Sequence, residues 1–247
     1  MWFYPRVLAH RGGGTLAPEN TMAALRCGLA HGFRAVEFDV MLSKDSVPVL
    51  MHDPDFGRTV SGKGKVGETS AQALSRLDAG SWFGTSFTGE PVPDYRQAAD
   101  FCKANRIWMN VEIKPSPGAE AETGRVVAEW TRRFFAPGDP LMPLLSSFSF
   151  EALAAAMAEA PEVPRAFLVD VMPPDWRERL EVLEAVALHT NHKYLLPERA
   201  RAVKQAGYGL FCYTVNAPER ARELLGWGVD AFCTDRIDLI GPDFAGA

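Results

Sequence analysis

Four short pairs of charged residues stand at the ends of apolar runs: His10-Arg11, Glu37-x-Asp39, His52-Asp53 and Glu112-x-Lys114. They supply two imidazoles able to carry protons near neutral pH. They also supply three carboxylates of the kind a hard cation binds, and two cations suited to phosphate oxygens. That combination fits metal-assisted cleavage of a phosphodiester.

Spacing gives the pairs their meaning. In a strand, residues i and i+2 share a face, so Glu37 and Asp39 point the same way, as do Glu112 and Lys114. Carboxylates crowded onto one face of an otherwise apolar strand are costly unless a cation joins them. A divalent ion such as Mg²⁺ or Ca²⁺ resolves that conflict, and Glu37, Asp39 and Glu112 are its candidate ligands. His10 and His52 are candidates for general acid and general base. Arg11 and Lys114 are candidates for holding phosphate, and they also balance the carboxylates. Gly12-Gly13-Gly14 either lets backbone N–H groups approach an anion or meets the needs of a tight loop. His31, His189 and His192 lack charged neighbours of this kind and are read as structural.

These residues need elements that bring them together. Apolar runs at 6–9, 35–42, 108–113, 144–147, 165–169, 187–191, 209–213 and 231–234 read as strands. Amphipathic stretches at 21–31, 94–105, 123–135, 150–160, 175–186, 197–206 and 218–227 read as helices. Asn20, Asp94, Ser149 and Asn216 are candidate N-caps, and Gly207 and Gly228 candidate helix stops. Eight strands alternating with helices predict a parallel (β/α)8 TIM barrel, whose active site lies at the carboxyl ends of the strands. Residues 1–247 read as one such domain. The stretch between His52 and Val92 is rich in Gly, Ser and Thr, with one weak helix at 71–77. It is too long for a plain connection, so about 53–92 reads as an inserted cap after the second strand. Residues 47–51 are expected to pair with the end of that strand through Lys44-Asp45-Ser46.

Composition sets outer limits. The chain has 247 residues, 47% of them apolar, 23% charged, with a net charge of −5. This suffices for a sizeable core and argues against general nucleic-acid binding, which needs a basic face. No run approaches the ~20 apolar residues of a membrane span. No charged head followed by an apolar core precedes the first strand, so the expected location is cytoplasmic. Cys27, Cys102, Cys212 and Cys233 are widely spaced and read as reduced packing residues.

The order of these motifs resembles one family. Ala9-His10-Arg11-Gly12 followed by Pro18-Glu19-Asn20-Thr21 is similar to the opening of the glycerophosphodiester phosphodiesterases. Glu37-x-Asp39, His52-Asp53, Gly62-Lys63-Gly64, 77–82 (Leu-Asp-Ala-Gly-Ser-Trp) and Glu112-x-Lys114 follow in the same order. Thr214-Val215-Asn216, 228–231 and Thr234-Asp235-Arg236 complete a match from about residue 8 to residue 238. The resemblance implies a metal-dependent hydrolase that converts glycerophosphodiesters, such as glycerophosphocholine or glycerophosphoethanolamine, to glycerol 3-phosphate and an alcohol. It implies His10 and His52 as the acid–base pair, Glu37, Asp39 and Glu112 as metal ligands, and Arg11 and Lys114 on the phosphate. Glu19 and Asn20 would support the site. The expected cofactor is a divalent ion, Mg²⁺ first, with Ca²⁺ and Mn²⁺ as alternatives. The expected partner is the small-molecule diester, with no nucleic acid and no membrane span; the oligomeric state stays open. Rival readings are a lysophospholipase D-type or phosphoinositide-cleaving barrel, and a non-catalytic metabolite-binding barrel. Ile237 stands where the family commonly has proline, Tyr213 where it often has tryptophan, and Asp94-Tyr95 where it often has Thr-Leu.

Overall fold

A computed structural model of the chain describes residues 2–246. Its strands are β1 (Val7–Ala9), β2 (Ala35–Leu42), β3 (Pro48–Leu50), β4 (Trp108–Ile113), β5 (Leu144–Ser147), β6 (Arg165–Val169), β7 (Ala187–Asn191), β8 (Gly209–Tyr213) and β9 (Ala231–Thr234). All but β3 are parallel and run β1-β9-β8-β7-β6-β5-β4-β2 around a barrel. The barrel closes where Ala9 of β1 meets Val36 of β2. β3 folds back antiparallel onto β2, pairing Val40 with Leu50 and Leu42 with Pro48. The (β/α)8 architecture and the hairpin are as expected, because apolar runs buried on both faces leave little choice of element.

Around the barrel pack α1 (Met22–Ala30), α3 (Tyr95–Ala104), α4 (Glu120–Phe134), α5 (Phe150–Glu159), α6 (Trp176–Val182), α7 (Pro197–Gln205) and α8 (Pro218–Gly226), while the short α2 (Ala71–Leu74) follows β3. Asp94 and Gln97 form a reciprocal capping box at α3, and the Ser149 hydroxyl accepts from Ala152 N at α5. Two of the expected caps do other work. Thr21, not Asn20, caps α1 through Ala24 N. Ala217 precedes α8, which starts with Pro218 and has no side-chain cap. Asn20 and Asn216 instead turn toward the carboxyl ends of the strands. α6 stops at Val182, short of the expected 186, because Glu184 adopts a left-handed φ of 47° and Ala185 N turns back to Leu180 O.

Small residues inside the barrel (Ala35, Ala166, Ala187, Gly209 and Ala231) leave room for large ones. Trp2 and Tyr4 fill the amino-terminal end of the strands. Trp2 stacks on Phe211 at 6.1 Å and Tyr4 on Trp108 at 4.5 Å. The other end is open and polar. Between β3 and α3 the chain builds a separate small apolar cluster, in which Val60, Val66, Leu74, Ala79 and Val92 pack on Met41, Val49 and Met51. Asp78 ties the later half of this segment, accepting from the backbone N–H groups of Gly80, Ser81 and Gly89. The four cysteines are free. Among the described residues no helix is long and apolar enough to cross a membrane.

α4 and α5 cross so closely that a Cβ at Gly124 would lie 1.9 Å from Ala152 O. Gly124→Ala should therefore destabilise the protein by about 1–3 kcal/mol through overpacking, despite the better helix propensity of alanine. A melting temperature equal to or above that of the parent would show that the helices yield.

Candidate active site

Six of the seven strand-end residues singled out above meet at one cavity of about 310 Å³. His10, Arg11, Glu37, His52, Glu112 and Lys114 line it, together with Phe148 and Tyr213. Asp39 lies just behind, fully buried and in register with Glu112. Glu37, Asp39 and Glu112 each offer a carboxylate oxygen, and the three atoms lie within 4.8 Å of one another.

The first loop is shaped around these charges. Arg11 has a left-handed φ of 50° and its N–H donates to Glu37 Oε2 at 3.1 Å. Asn20 is likewise left-handed; its Nδ2 donates to Asp39 Oδ2 at 2.8 Å, and its Oδ1 accepts from Asp39 N at 3.1 Å. Such backbone strain persists where surrounding bonds hold it. The glycine run serves the loop itself. Gly14 has φ 53°, and a Cβ there would lie 2.1 Å from Asp235 O.

Arg11 Nε approaches Asp39 Oδ2 at 3.3 Å, and Lys114 Nζ approaches Glu112 Oε1 at 3.3 Å. Neither contact is an aligned hydrogen bond, for Arg11 Nε, Asp39 Oδ1 and Glu112 Oε1 are all buried without a hydrogen-bond partner. Coulomb attraction alone therefore balances much of this charge. Burial, followed by the charge of Asp39, pushes Glu37 and Glu112 well above the usual carboxylate range. Burial acts on Asp39 too, but Arg11, His52 and Lys114 outweigh it and hold Asp39 below its ordinary value. Buried carboxylate oxygens with unused lone pairs, gathered at this spacing, fit a hard divalent cation.

Both histidines carry a carboxylate on Nδ1. His10 Nδ1 lies 2.5 Å from Asp235 Oδ1, and His52 Nδ1 lies 2.6 Å from Asp53 Oδ1. Each pairing directs the ring's other nitrogen inward: His10 Nε2 is 3.7 Å from Glu37 Oε2, and Lys114 Nζ is 3.1 Å from His52 Nε2. Burial lowers the basicity of His10, but the Asp235 hydrogen bond and the Glu37 charge outweigh it, so the net shift is upward. At His52 burial prevails over Asp39 and Asp53, and the shift is downward. Asn216 secures Asp235, donating from Nδ2 to Oδ2 at 2.9 Å and accepting from Asp235 N at 2.8 Å.

Arg58, from the segment after β3, was not singled out in the sequence. Its Nε donates to Asp53 Oδ2 at 2.5 Å, and its two terminal nitrogens grip Glu19 at 2.6 and 2.7 Å. Glu19 in turn accepts from Arg11 at 2.7 Å. An alternating chain of charge thus runs His52–Asp53–Arg58–Glu19–Arg11–Asp39. Trp82 and Phe83, from the same segment, line a neighbouring hollow with His10, Glu19 and Asp235. His31 and His192 stand apart from the site. His189 does not: it lies in the floor of the cavity.

The raised carboxyls have a thermodynamic consequence. Glu37 and Glu112 bind protons more tightly folded than free, where 4.5 is their ordinary value. In the metal-free protein they favour folding below that pH, and the contribution is lost as pH rises through the raised values. A divalent ion binds only the deprotonated groups. Its stabilising increment should therefore be larger at about pH 8 than at about pH 6, read as melting temperature with and without Mg²⁺. Equal increments at both pH values would count against these three ligands.

Comparison with known proteins identifies the family. The model of the glycerophosphoryl diester phosphodiesterase family matches residues 10–239. A glycerophosphodiester phosphodiesterase of Caldanaerobacter subterraneus subsp. tengcongensis is 30% identical, over 93% of this chain and 93% of its own. Among solved structures, a phosphodiesterase from Oleispira antarctica in complex with the product sn-glycerol-3-phosphate superposes with a TM-score of 0.89. It is 37% identical, over 94% of each chain. A glycerophosphodiester phosphodiesterase from Agrobacterium tumefaciens superposes with a TM-score of 0.80 at 28% identity, over 99% of this chain and 100% of its own. With its motifs gathered at the barrel mouth and the family model spanning nearly its whole length, the chain belongs to the glycerophosphoryl diester phosphodiesterase family.

Proposed function

We propose that this protein hydrolyses glycerophosphodiesters, such as glycerophosphocholine and glycerophosphoethanolamine, to glycerol 3-phosphate and an alcohol. The observation that carries the reading is the shared cavity: three clustered carboxylates flanked by two imidazoles, each bound on Nδ1 by its own carboxylate. A divalent ion held by Glu37, Asp39 and Glu112, Mg²⁺ first with Ca²⁺ or Mn²⁺ as alternatives, would supply Lewis-acid charge to the phosphate. Arg11 and Lys114 hold phosphate oxygens and offset the charge that grows in the transition state. One of His10 and His52 takes a proton from the nucleophile at Nε2, and the other returns a proton to the departing alkoxide. Asp235 and Asp53 fix the tautomers for both transfers. Glu19 and Asn20 support the site through Arg11 and Asp39. The chain acts as one unit, with residues 53–92 as the cap on its mouth.

The test is to strip the purified protein with a chelator, add glycerophosphocholine and follow glycerol 3-phosphate with and without Mg²⁺, Mn²⁺ or Ca²⁺. Metal-dependent release is expected. Release of phosphocholine would reverse the assignment of the bond cut, and no product with any ion would count against the substrate class. His10→Ala and His52→Ala should each lower turnover ~10²-fold or more; near-normal activity in both would remove them from the mechanism.

Arg58 gives a separate test of the charge chain. Losing it frees Asp53 and hence His52, so Arg58→Ala should reduce turnover by about 10- to 100-fold with metal affinity kept. Partial rescue by added guanidinium ion is expected, and full activity in the unrescued variant would show that the chain is ornamental.

A further inference from the structure

The hollow beside the reaction cavity, of about 360 Å³, is lined by Glu19, Trp82, Phe83 and Asp235. His10 and Arg11 line both spaces, so the two adjoin at the proposed phosphate anchor. A diester whose phosphate rests on Arg11 can therefore extend one arm into each. The aromatic pair is set in place by the segment that carries it. Asp78 accepts from the N–H groups of Gly80, Ser81 and Gly89, and a Cβ at Gly80 would lie 2.0 Å from Phe87 O. The turn is thus tightly closed. Phe83 stands between two rings, 5.6 Å from Trp82 at 88° and 5.4 Å from Phe87 at 84°.

Trp82 is held firmly and yet is 42% exposed. Its Nε1 donates to Ala79 O at 2.8 Å, so its one polar atom is already used. What it offers a ligand is a ring face and no hydrogen bond. The charged groups of the hollow are also paired among themselves. Glu19 is bonded by Arg11 and Arg58, and Asp235 by His10 and Asn216. A primary ammonium needs acceptors for its N–H groups and would have to compete with those cations. A quaternary ammonium has no N–H to satisfy, and an aromatic face attracts its charge.

We infer that Trp82, with Phe83 beside it, is a recognition surface for a quaternary-ammonium alcohol, so that the segment after β3 selects choline-type head groups over primary-ammonium ones. This deepens the phosphodiesterase reading above and rests on it. The head group lies on the exposed indole, in the hollow that shares His10 and Arg11 with the reaction cavity. Selection comes from the attraction of the ring for a weakly hydrated cation, since the nearby carboxylates are committed to other partners.

The experiment measures kcat/KM of the Mg²⁺-loaded protein for three diesters. They are glycerophosphocholine, glycerophosphoethanolamine and an uncharged isostere of the first, in which a tert-butyl group replaces trimethylammonium. The choline ester should exceed each of the others by about 3- to 30-fold, the range that a cation on an aromatic face covers. Trp82→Leu, which keeps apolar bulk, should bring both ratios toward one, and the loss should fall mainly on KM. Trp82→Phe keeps a ring face and should retain part of the preference. Calorimetric titration with phosphocholine and phosphoethanolamine should give the same order of preference without turnover. Equal kcat/KM for the choline and ethanolamine esters, or an undiminished ratio in folded Trp82→Leu, overturns the inference. An isostere cleaved as well as the choline ester overturns it too, because shape alone would then suffice, and this comparison needs no variant to fold. A parent that cleaves none of the diesters yet prefers phosphocholine through Trp82 overturns the hydrolase reading instead and leaves the recognition surface standing.

Discussion

Three carboxylates gathered at one barrel mouth repel one another, and much of the surrounding structure answers that repulsion. Arg11 faces Asp39, Lys114 faces Glu112, and the Arg11 N–H and the Asn20 amide supply dipoles to Glu37 and Asp39. The left-handed backbone at Arg11 and Asn20 follows, since both residues must bend inward to reach those oxygens. The compensation is incomplete, with buried oxygens on Asp39 and Glu112 left unbonded. A fold that needed only stability would fill such a place with apolar side chains. The unused oxygens fit the divalent cation proposed for this site.

The histidines are held by different parts of the chain. His10 depends on Asp235 and Asn216, which follow the last two barrel strands. His52 depends on Asp53 and, through it, on Arg58 in the segment after β3. Arg58 therefore joins that segment to the barrel by charge as well as by packing. Its bonds to Glu19 and Asp53 tie the loop after β1 to the segment after β3.

The barrel and its hairpin were legible because unbroken apolar runs have one natural element type, and i, i+2 spacing alone put Glu37 beside Asp39 and Glu112 beside Lys114. What escaped was long-range. Nothing near His10 in sequence announces Asp235, which lies 225 positions away. The resemblance placed Asn20 beside the site, but Asn20 and Asn216 both precede helices and match the local rule for caps, so neither the bond of Asn20 to Asp39 nor that of Asn216 to Asp235 could be read from sequence. Arg58 sits in a polar, glycine-rich stretch that shows no period. His189 was read as structural for want of charged neighbours, and its place in the lining of the cavity arises only when the barrel closes.

The seam of the barrel has a further consequence. β1 meets β2 through a single residue pair, but meets β9 along Val7 to Ala9, with His10 N and Thr15 N also bonded to the end of β9 and to Asp235. The strand that carries His10 is thus anchored chiefly by the strand made last. Contacts of such sequence separation form late, after their loop entropy has been met. As the polypeptide emerges during synthesis, the middle βα units can consolidate in order while the first strand waits for the ninth. The carboxylate cluster on β2 and β4 can therefore gather before its partner imidazole is secured, and assembly of the site finishes only when barrel closure does.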